Sequence, residues 1–338
     1  MTKTRVAILG ATGFTASELI HLFARHPYAE ITALTTRSEE RPHVADVHPS
    51  VRGLLDLYLE PLTDDELAAR ADCVFCCLPH KASADRVPGL LDRGMKVIDL
   101  SADYRLDDAQ TFTEWYGETH PDPNRLGKTP YGLPELFRDK IVGANLVANP
   151  GCYPTSSILP LTPLLLNGYI KPDDIIIDSK SGTSGAGKSL KPGNMYCAVN
   201  ENFLAYGVGT HRHRPEIEQV IARKTGTLPS VIFTPHLVAM DRGIFTTTYS
   251  LPAKEADEKE LIACLQDFYK NEQFVRVLDV LPNVKAVAHT NFCDMTVRVV
   301  RNRVMTLSCI DNLVKGASGA ALQNFNILYG YPENTALI

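Results

Sequence analysis

The stretch RVAILGATGFTASELIHLF, Arg5–Phe23, decides the fold. RVAIL is an unbroken apolar run, the pattern of a strand buried on both faces of a parallel sheet. GATGF turns the chain. Leu19, Ile20, Leu22 and Phe23 then fall at helical spacing, and Pro27 stops the helix. A Gly-rich turn between such a strand and such a helix lets a pyrophosphate approach the backbone at a helix N-terminus. Gly10 and Gly13 stand in that turn, and Ala16 occupies the last glycine place, which the looser form of the dinucleotide fingerprint tolerates.

Working outward, EITALTT (30–36) reads as a second strand, DCVFCCLP as a third and KVIDLSADYRL as a strand entering a loop. Helices fall between them: TDDELAARA, with Thr63 as N-cap and three acids in its first turn, and HKASADRVPGLLDRG. Strands alternating with helices predict a doubly wound parallel sheet. Residues 111–140, rich in Pro, Gly, Tyr and His, read as a long loop or insertion, and IVGANLVANPGC returns as a strand. Beyond it, DDIIIDSKSG, PSVIFTPHLVAM, GIFTTTYSLPA, MTVRVV and RVMTLSCIDN are β-rich, with DEKELIACLQDFYKN as a helix among them. The prediction is an α/β chain. A Rossmann-type dinucleotide-binding domain covers 1–148 and 313–338, its tail helix packing back onto it. An α+β catalytic and oligomerisation domain covers 149–312.

The 338 residues suit two domains. A net charge of -5 without a basic run gives nucleic-acid binding no electrostatic support. No apolar run is long enough to span a membrane, and the N-terminus lacks a signal-peptide pattern. The expected compartment is the cytoplasm. Of the eight cysteines, Cys73, Cys76 and Cys77 have metal-like spacing. They lie in an apolar strand with no second pair at a suitable distance, so no metal is expected.

The second strand ends in Thr35, Thr36, Arg37 and Ser38, where an NAD-binding fold usually carries an acid. An arginine beside hydroxyls suits a 2′-phosphate, so NADP is expected. SGTSGAGKS (181–189) satisfies the P-loop pattern, but Pro192 and Gly193 forbid the long helix a P-loop needs. It reads as a Gly-rich loop touching substrate or cofactor. In GTHRHRPEI, His211 and His213 precede a helix whose first turn suits Pro215, and such a terminus keeps imidazole neutral. In ANPGCYPTS, Cys152 stands on a turn framed by Gly151 and Pro150, at a helix start that favours a thiolate. Pro160 and Pro163 imply that this helix is short, kinked or restarted. A dinucleotide and a nucleophilic cysteine together suggest a thioester formed from an activated acyl group and reduced by hydride, with a histidine managing protons.

GATGFTASEL, IDLSADYRL, ANPGCYPT, SGTSGAGK, GTHRHRPEI, FTPHLVAMDRGI and CIDNLVKGASGAALQN resemble the N-acetyl-gamma-glutamyl-phosphate reductase family over nearly the whole chain. The resemblance implies NADPH-dependent reduction of N-acetyl-glutamyl 5-phosphate to the semialdehyde in arginine biosynthesis, with release of phosphate. It also implies the fold of aspartate-semialdehyde and glyceraldehyde-phosphate dehydrogenases, and a homodimer or homotetramer. Carried over residue by residue, Cys152 matches the nucleophile and His211 and His213 the paired histidines, with their roles left open. Gly10, Thr12 and Gly13 match the cofactor turn, Arg37 and Ser38 the 2′-phosphate corner, and Asn312 a position near the nicotinamide. Ser181 and Gly182 are candidates for cofactor or substrate contacts; Arg105 and His236 are candidates for the acyl-phosphate substrate. Rival readings are an aspartate-semialdehyde or aminoadipate-phosphate type of acyl-phosphate reductase, and an NADP-binding redox sensor.

Overall fold

The apolar runs of the N-terminal half form one sheet in the computed structural model, which describes residues 2–188, 191–255 and 257–338. Along the chain come β1 (Thr4–Leu9), α1 (Phe14–Phe23), β2 (Ala29–Thr35), α2 (Val44–Val47), β3 (Leu59–Glu60) and α3 (Asp64–Arg70). They are followed by β4 (Cys73–Cys76), α4 (Ala82–Asp92), β5 (Lys96–Asp99), α5 (Ala109–Tyr116), α6 (Pro134–Ile141) and β6 (Leu146–Ala148). All pairings are parallel and the order is β3-β2-β1-β4-β5-β6, the doubly wound dinucleotide-binding order. Val6–Leu9 are fully buried, as the unbroken apolar run requires. Thr63 closes a capping box: its hydroxyl accepts from Glu66 N–H, and the Glu66 carboxylate accepts from Thr63 N–H at 2.8 Å.

Residues 111–140 are not the long loop that composition suggested. Asp108 caps α5 by accepting from Thr111 N–H at 2.8 Å, and Pro134 opens α6 at a position where its missing N–H costs no bond. The many ring residues had masked this helical content. Phe112 is buried, stacked on Tyr116 and edge-on to His120.

The second half contains α7 (Cys152–Leu166), β7 (Ile175–Gly182), α8 (Tyr196–Val199), β8 (Phe203–Ala205), α9 (His213–Thr225) and β9 (Val231–Val238). Then come β10 (Ile244–Ser250), α10 (Glu258–Phe268), β11 (Val275–Val277), α11 (Val284–Val287), β12 (Cys293–Val300) and β13 (Arg303–Ile310). Its mixed sheet runs β11-β12-β13-β10-β7-β9-β8. The last helix, α12 (Gly319–Tyr329), follows a π-turn over Val314–Ser318. The compact units are residues up to Pro150 with Ala317–Ile338, and Gly151–Gly316. Within the first, Phe325 of α12 packs against Phe23 and Phe75.

The prolines of α7 correct a sequence expectation. The helix runs unbroken for 15 residues through Pro160 and Pro163. These prolines leave the carbonyls of Ser156 and Leu159 without their intrahelical donors. Ser308 Oγ donates to the Ser156 carbonyl and Tyr269 Oη to that of Leu159, each at 2.6 Å. Neighbouring elements thus satisfy what the prolines removed, and burial of nearly every α7 side chain holds the helix together. The P-loop look-alike lacks its helix. Thr183–Ala186 form one 3₁₀ turn, and the next described turn, Pro192–Asn194, is also 3₁₀; Ser189 lies outside the described residues.

Candidate active site

In the first unit, the strand order reverses between β1 and β4, the place where ligands bind such sheets. Gly10 has φ +73°, and a Cβ there would stand 2.6 Å from the Cys77 carbonyl oxygen. Only glycine lets β1 turn so close to the neighbouring chain. Thr35 Oγ1 accepts from Gly10 N–H at 3.3 Å and anchors the turn to β2. Helix α1 has Gly13 as a cap without a side-chain hydrogen bond and no acid in its first turn, so its positive end suits an anion. Thr12 is exposed beside it. A cleft of about 360 Å³ opens here, lined by Gly10, Thr35, Thr36, Arg37, Leu62 and Arg86 among others. Ser38 N–H donates to Thr36 Oγ1 and shapes the same corner. The donor set fits the phosphates of a nicotinamide dinucleotide.

In the second unit, Cys152 is the first residue of α7, half-buried, after Gly151 in extended conformation. A Cβ on Gly316 would stand 2.7 Å from Cys152 Cβ, so the π-turn passes against the cysteine. His213 opens α9, and its N–H donates to His211 Nδ1 at 3.2 Å. The two imidazoles lie 4.8 Å apart between ring centres, with Tyr153, Tyr206 and Phe233 edge-on to His211. Burial, helped by the Arg212 charge, pushes the His211 pKa down to about 4. The Tyr153 and Tyr206 hydroxyls meet at 2.9 Å. Burial raises both phenols, Tyr206 to about 12, and negative charge on Cys152 adds to the effect. Both therefore remain protonated donors near the cysteine.

The sequence reading missed Glu216. Its side chain is 1% exposed; Oε1 accepts from Gly151 N–H at 2.9 Å, and Oε2 lies 4.0 Å from His213 Nε2. The HRPE spacing carried the signal, because residues three apart on a helix share a face.

Of the other candidates, Ser181 reaches the Tyr153 side chain on the cysteine side. Asn312 joins two loops: Oδ1 accepts from Gly243 N–H at 2.6 Å, and Nδ2 donates to Ser184 Oγ at 3.0 Å. Ser181 Oγ donates to the Gly182 carbonyl, and a Gly182 Cβ would stand 2.5 Å from the Asp241 carbonyl oxygen. Behind them Asp311 is fully buried, accepting from Arg242 Nη1, His289 N–H, Leu313 N–H and Val314 N–H. Arg105, in the first unit, grips backbone: Nε donates to the Asn149 carbonyl at 2.8 Å and Nη2 to that of Leu100 at 3.0 Å. It braces the turn preceding the cysteine. His236 requires a correction. Phe233 faces Tyr153 and His211, and alternation along β9 turns His236 to the opposite face of the sheet. There its ring stacks on Phe203 and its Nδ1 lies 3.1 Å from Asp178. That placement takes its ring away from the cysteine side.

A doubly wound nucleotide domain followed by a mixed-sheet domain that opens on a cysteine defines the class, and the comparisons agree. Residues 5–144 match the family described as semialdehyde dehydrogenase, NAD binding domain, and residues 152–312 match semialdehyde dehydrogenase, dimerisation domain. Aspartate semialdehyde dehydrogenase II from Vibrio cholerae superposes with a TM-score of 0.75 at 16% identity, covering 97% of this chain and 99% of that one. The Candida albicans aspartate semialdehyde dehydrogenase solved with NADP gives 0.72 at 16% identity, covering 99% and 100%. The chain is thus a semialdehyde dehydrogenase by class, with a nicotinamide-cofactor domain.

Sequence relatives narrow the class. N-acetyl-gamma-glutamyl-phosphate reductase from Rhodopirellula baltica is 48% identical, covering 99% of this chain and 98% of the relative. That from Geotalea daltonii is 50% identical, covering 98% and 97%. The chain belongs to the N-acetyl-gamma-glutamyl-phosphate reductase family. Among the described residues, no helix is long and apolar enough to cross a membrane.

Proposed function

We propose that the chain reduces N-acetyl-L-glutamyl 5-phosphate to N-acetyl-L-glutamate 5-semialdehyde and phosphate, with NADPH, in arginine biosynthesis. The observation that carries this is Cys152 at the head of α7, against Gly316, in the unit that holds the histidine pair. The α7 dipole favours the thiolate. The Cys152 thiolate attacks the acyl carbon, the carbon–oxygen bond to phosphate breaks, and a thioester forms. One histidine of the pair takes the thiol proton and passes it to the departing phosphate. NADPH, when bound, supplies the hydride that reduces the thioester carbon. The carbon–sulfur bond then breaks, the aldehyde leaves, and the returning thiolate regains a proton from solvent. Proton transfer of this kind contributes ~10²–10⁴ in rate.

The Gly10–Gly13 turn and the first turn of α1 would hold the pyrophosphate. Arg37, with Thr36 and Ser38, would hold the 2′-phosphate, which favours NADP over NAD. None of the eight cysteines is in a disulfide, which fits a cytoplasmic enzyme. A homodimer, or a tetramer built from it, is supported by the outer face of the second sheet. Ile176, Ile232 and Phe203 are 41%, 55% and 56% exposed there.

The test runs in the reverse direction, because acyl phosphates are labile. Protein, NADP⁺, phosphate and N-acetyl-glutamate semialdehyde are mixed and NADPH absorbance is followed, with aspartate semialdehyde in parallel. The expected result is phosphate-dependent NADPH formation with the acetylated substrate, abolished in Cys152→Ala. Turnover with aspartate semialdehyde alone would move the enzyme to a sister substrate, and silence with both would overturn the reading.

A further inference from the structure

We propose that Arg86, oriented by Asp64, is a second cation for the 2′-phosphate of the cofactor, and that Arg86 and Arg37 together set the preference for NADP over NAD. This rests on the reading of the Gly10 cleft as the nicotinamide-dinucleotide site.

The two arginines reach that cleft from different elements. Arg37 follows β2, and Arg86 lies in α4, the helix after β4. Both line the same space of about 360 Å³, whose other walls include the apolar Leu9, Leu62 and Leu78. A flat base suits the apolar wall, and an anion suits the two guanidinium groups. Asp85 also lines the cleft; it is exposed, so water screens its charge.

The Arg86 guanidinium is fixed by the protein itself. Its Nε donates to Asp64 Oδ1 at 2.8 Å, and its Nη2 lies 2.6 Å from the same oxygen. Nη2 also donates to the Leu62 carbonyl at 3.3 Å. These bonds use one edge of the fork. Among the described residues Nη1 has no partner, so its two N–H groups remain for a ligand. Charge-assisted bonds from arginine to phosphate are strong, and a side chain already held in place loses little freedom in making them. A ribose hydroxyl, which is all that NAD presents there, offers neither the charge nor the extra acceptors.

The packing of α3 on α4 provides the anchor. Asp64 is the first residue of α3, directly after the Thr63 cap. A Cβ on Gly89 would stand 2.5 Å from Asp64 Oδ2. Glycine is a poor helix former, and here it makes room inside α4 for the acid that orients Arg86. Asp64 is a positioning residue acting through Arg86, and no contact with the cofactor is required of it.

The test is calorimetric titration with NADP⁺ and NAD⁺, which differ only in the 2′-phosphate. No acyl substrate is present, so the result does not depend on the substrate assignment. Wild type should bind NADP⁺ ~10-fold or more tighter than NAD⁺. Arg86→Leu should weaken NADP⁺ by ~10-fold or more and NAD⁺ by less than ~2-fold, with an unchanged thermal midpoint. Arg86→Lys keeps the ion pair with Asp64 and removes the free edge of the fork. It should also weaken NADP⁺ selectively, and it decides the matter if Arg86→Leu does not fold. Asp64→Ala makes the cleft more positive, so charge alone would tighten NADP⁺; loss of the anchor should weaken it instead. Tighter NADP⁺ binding in Asp64→Ala would overturn the positioning role. Unchanged NADP⁺ binding in Arg86→Leu, or an equal loss for both dinucleotides, would overturn the role of Arg86 while the NADP reading stands. A wild type that binds both equally would overturn the NADP reading and this proposal with it.

Discussion

At the residue scale, function rests on close packing around Cys152. Gly316 touches it where no side chain fits. Gly316→Ala should push Cys152 off its line of attack, and a displacement near 1 Å costs on the order of 10²-fold in rate. Steady-state kinetics beside a thermal melt would show kcat falling with little change in folding. His211 makes a different prediction. Its pKa of about 4 lies below the ordinary 6.5, so between these values the unfolded chain binds a proton that the folded chain refuses. Its stabilising contribution is full above pH 6.5 and lost as pH falls towards 4, up to roughly 3 kcal/mol. Asp99, raised to about 6 by burial and by Asp103, acts with the opposite sign over much of that window. The check is therefore a difference: urea unfolding of wild type and His211→Gln at pH 7 and 4.5, with wild type losing more.

At the element scale, elements hold because distant groups complete them. Helix α7 survives two internal prolines because Ser308 and Tyr269 supply the missing donors. Neither partner is near in sequence, so local reading predicts a break that the fold repairs. The π-turn over Val314–Ser318 begins under Asp311, whose carboxylate also holds Arg242 and His289 N–H. Asp311→Ala removes the buried acceptor shared by the Arg242 guanidinium and three backbone donors. A loss of about 3–5 kcal/mol is expected in chemical denaturation. Thr63 is the opposite case. Its capping box lies within four residues, and the sequence alone placed the cap.

At the scale of the whole molecule, exposed apolar surface calls for a partner. Ile176, Ile232 and Phe203 lie on the outer face of the second sheet, the face to which His236 also turns. A patch of that kind is covered when a second copy packs on it. Ile232→Glu should reduce the mass in multi-angle light scattering to that of the monomer, while circular dichroism stays unchanged. An unchanged mass would place the oligomer contact elsewhere.

The sequence by itself determined the parallel sheet, the Gly-rich turn and the candidacy of Cys152, His211 and His213. Each depends on periodicity or on turn chemistry within a few residues, which local order preserves. Only the tertiary structure decided what those residues meet. Glu216 reaches Gly151 across 65 positions, Gly316 lies against Cys152 from the far end of the second unit, and β9 turns His236 to the opposite face of the sheet. Such contacts are set by how helices and strands pack, and packing is a property of surfaces that no local window of sequence contains.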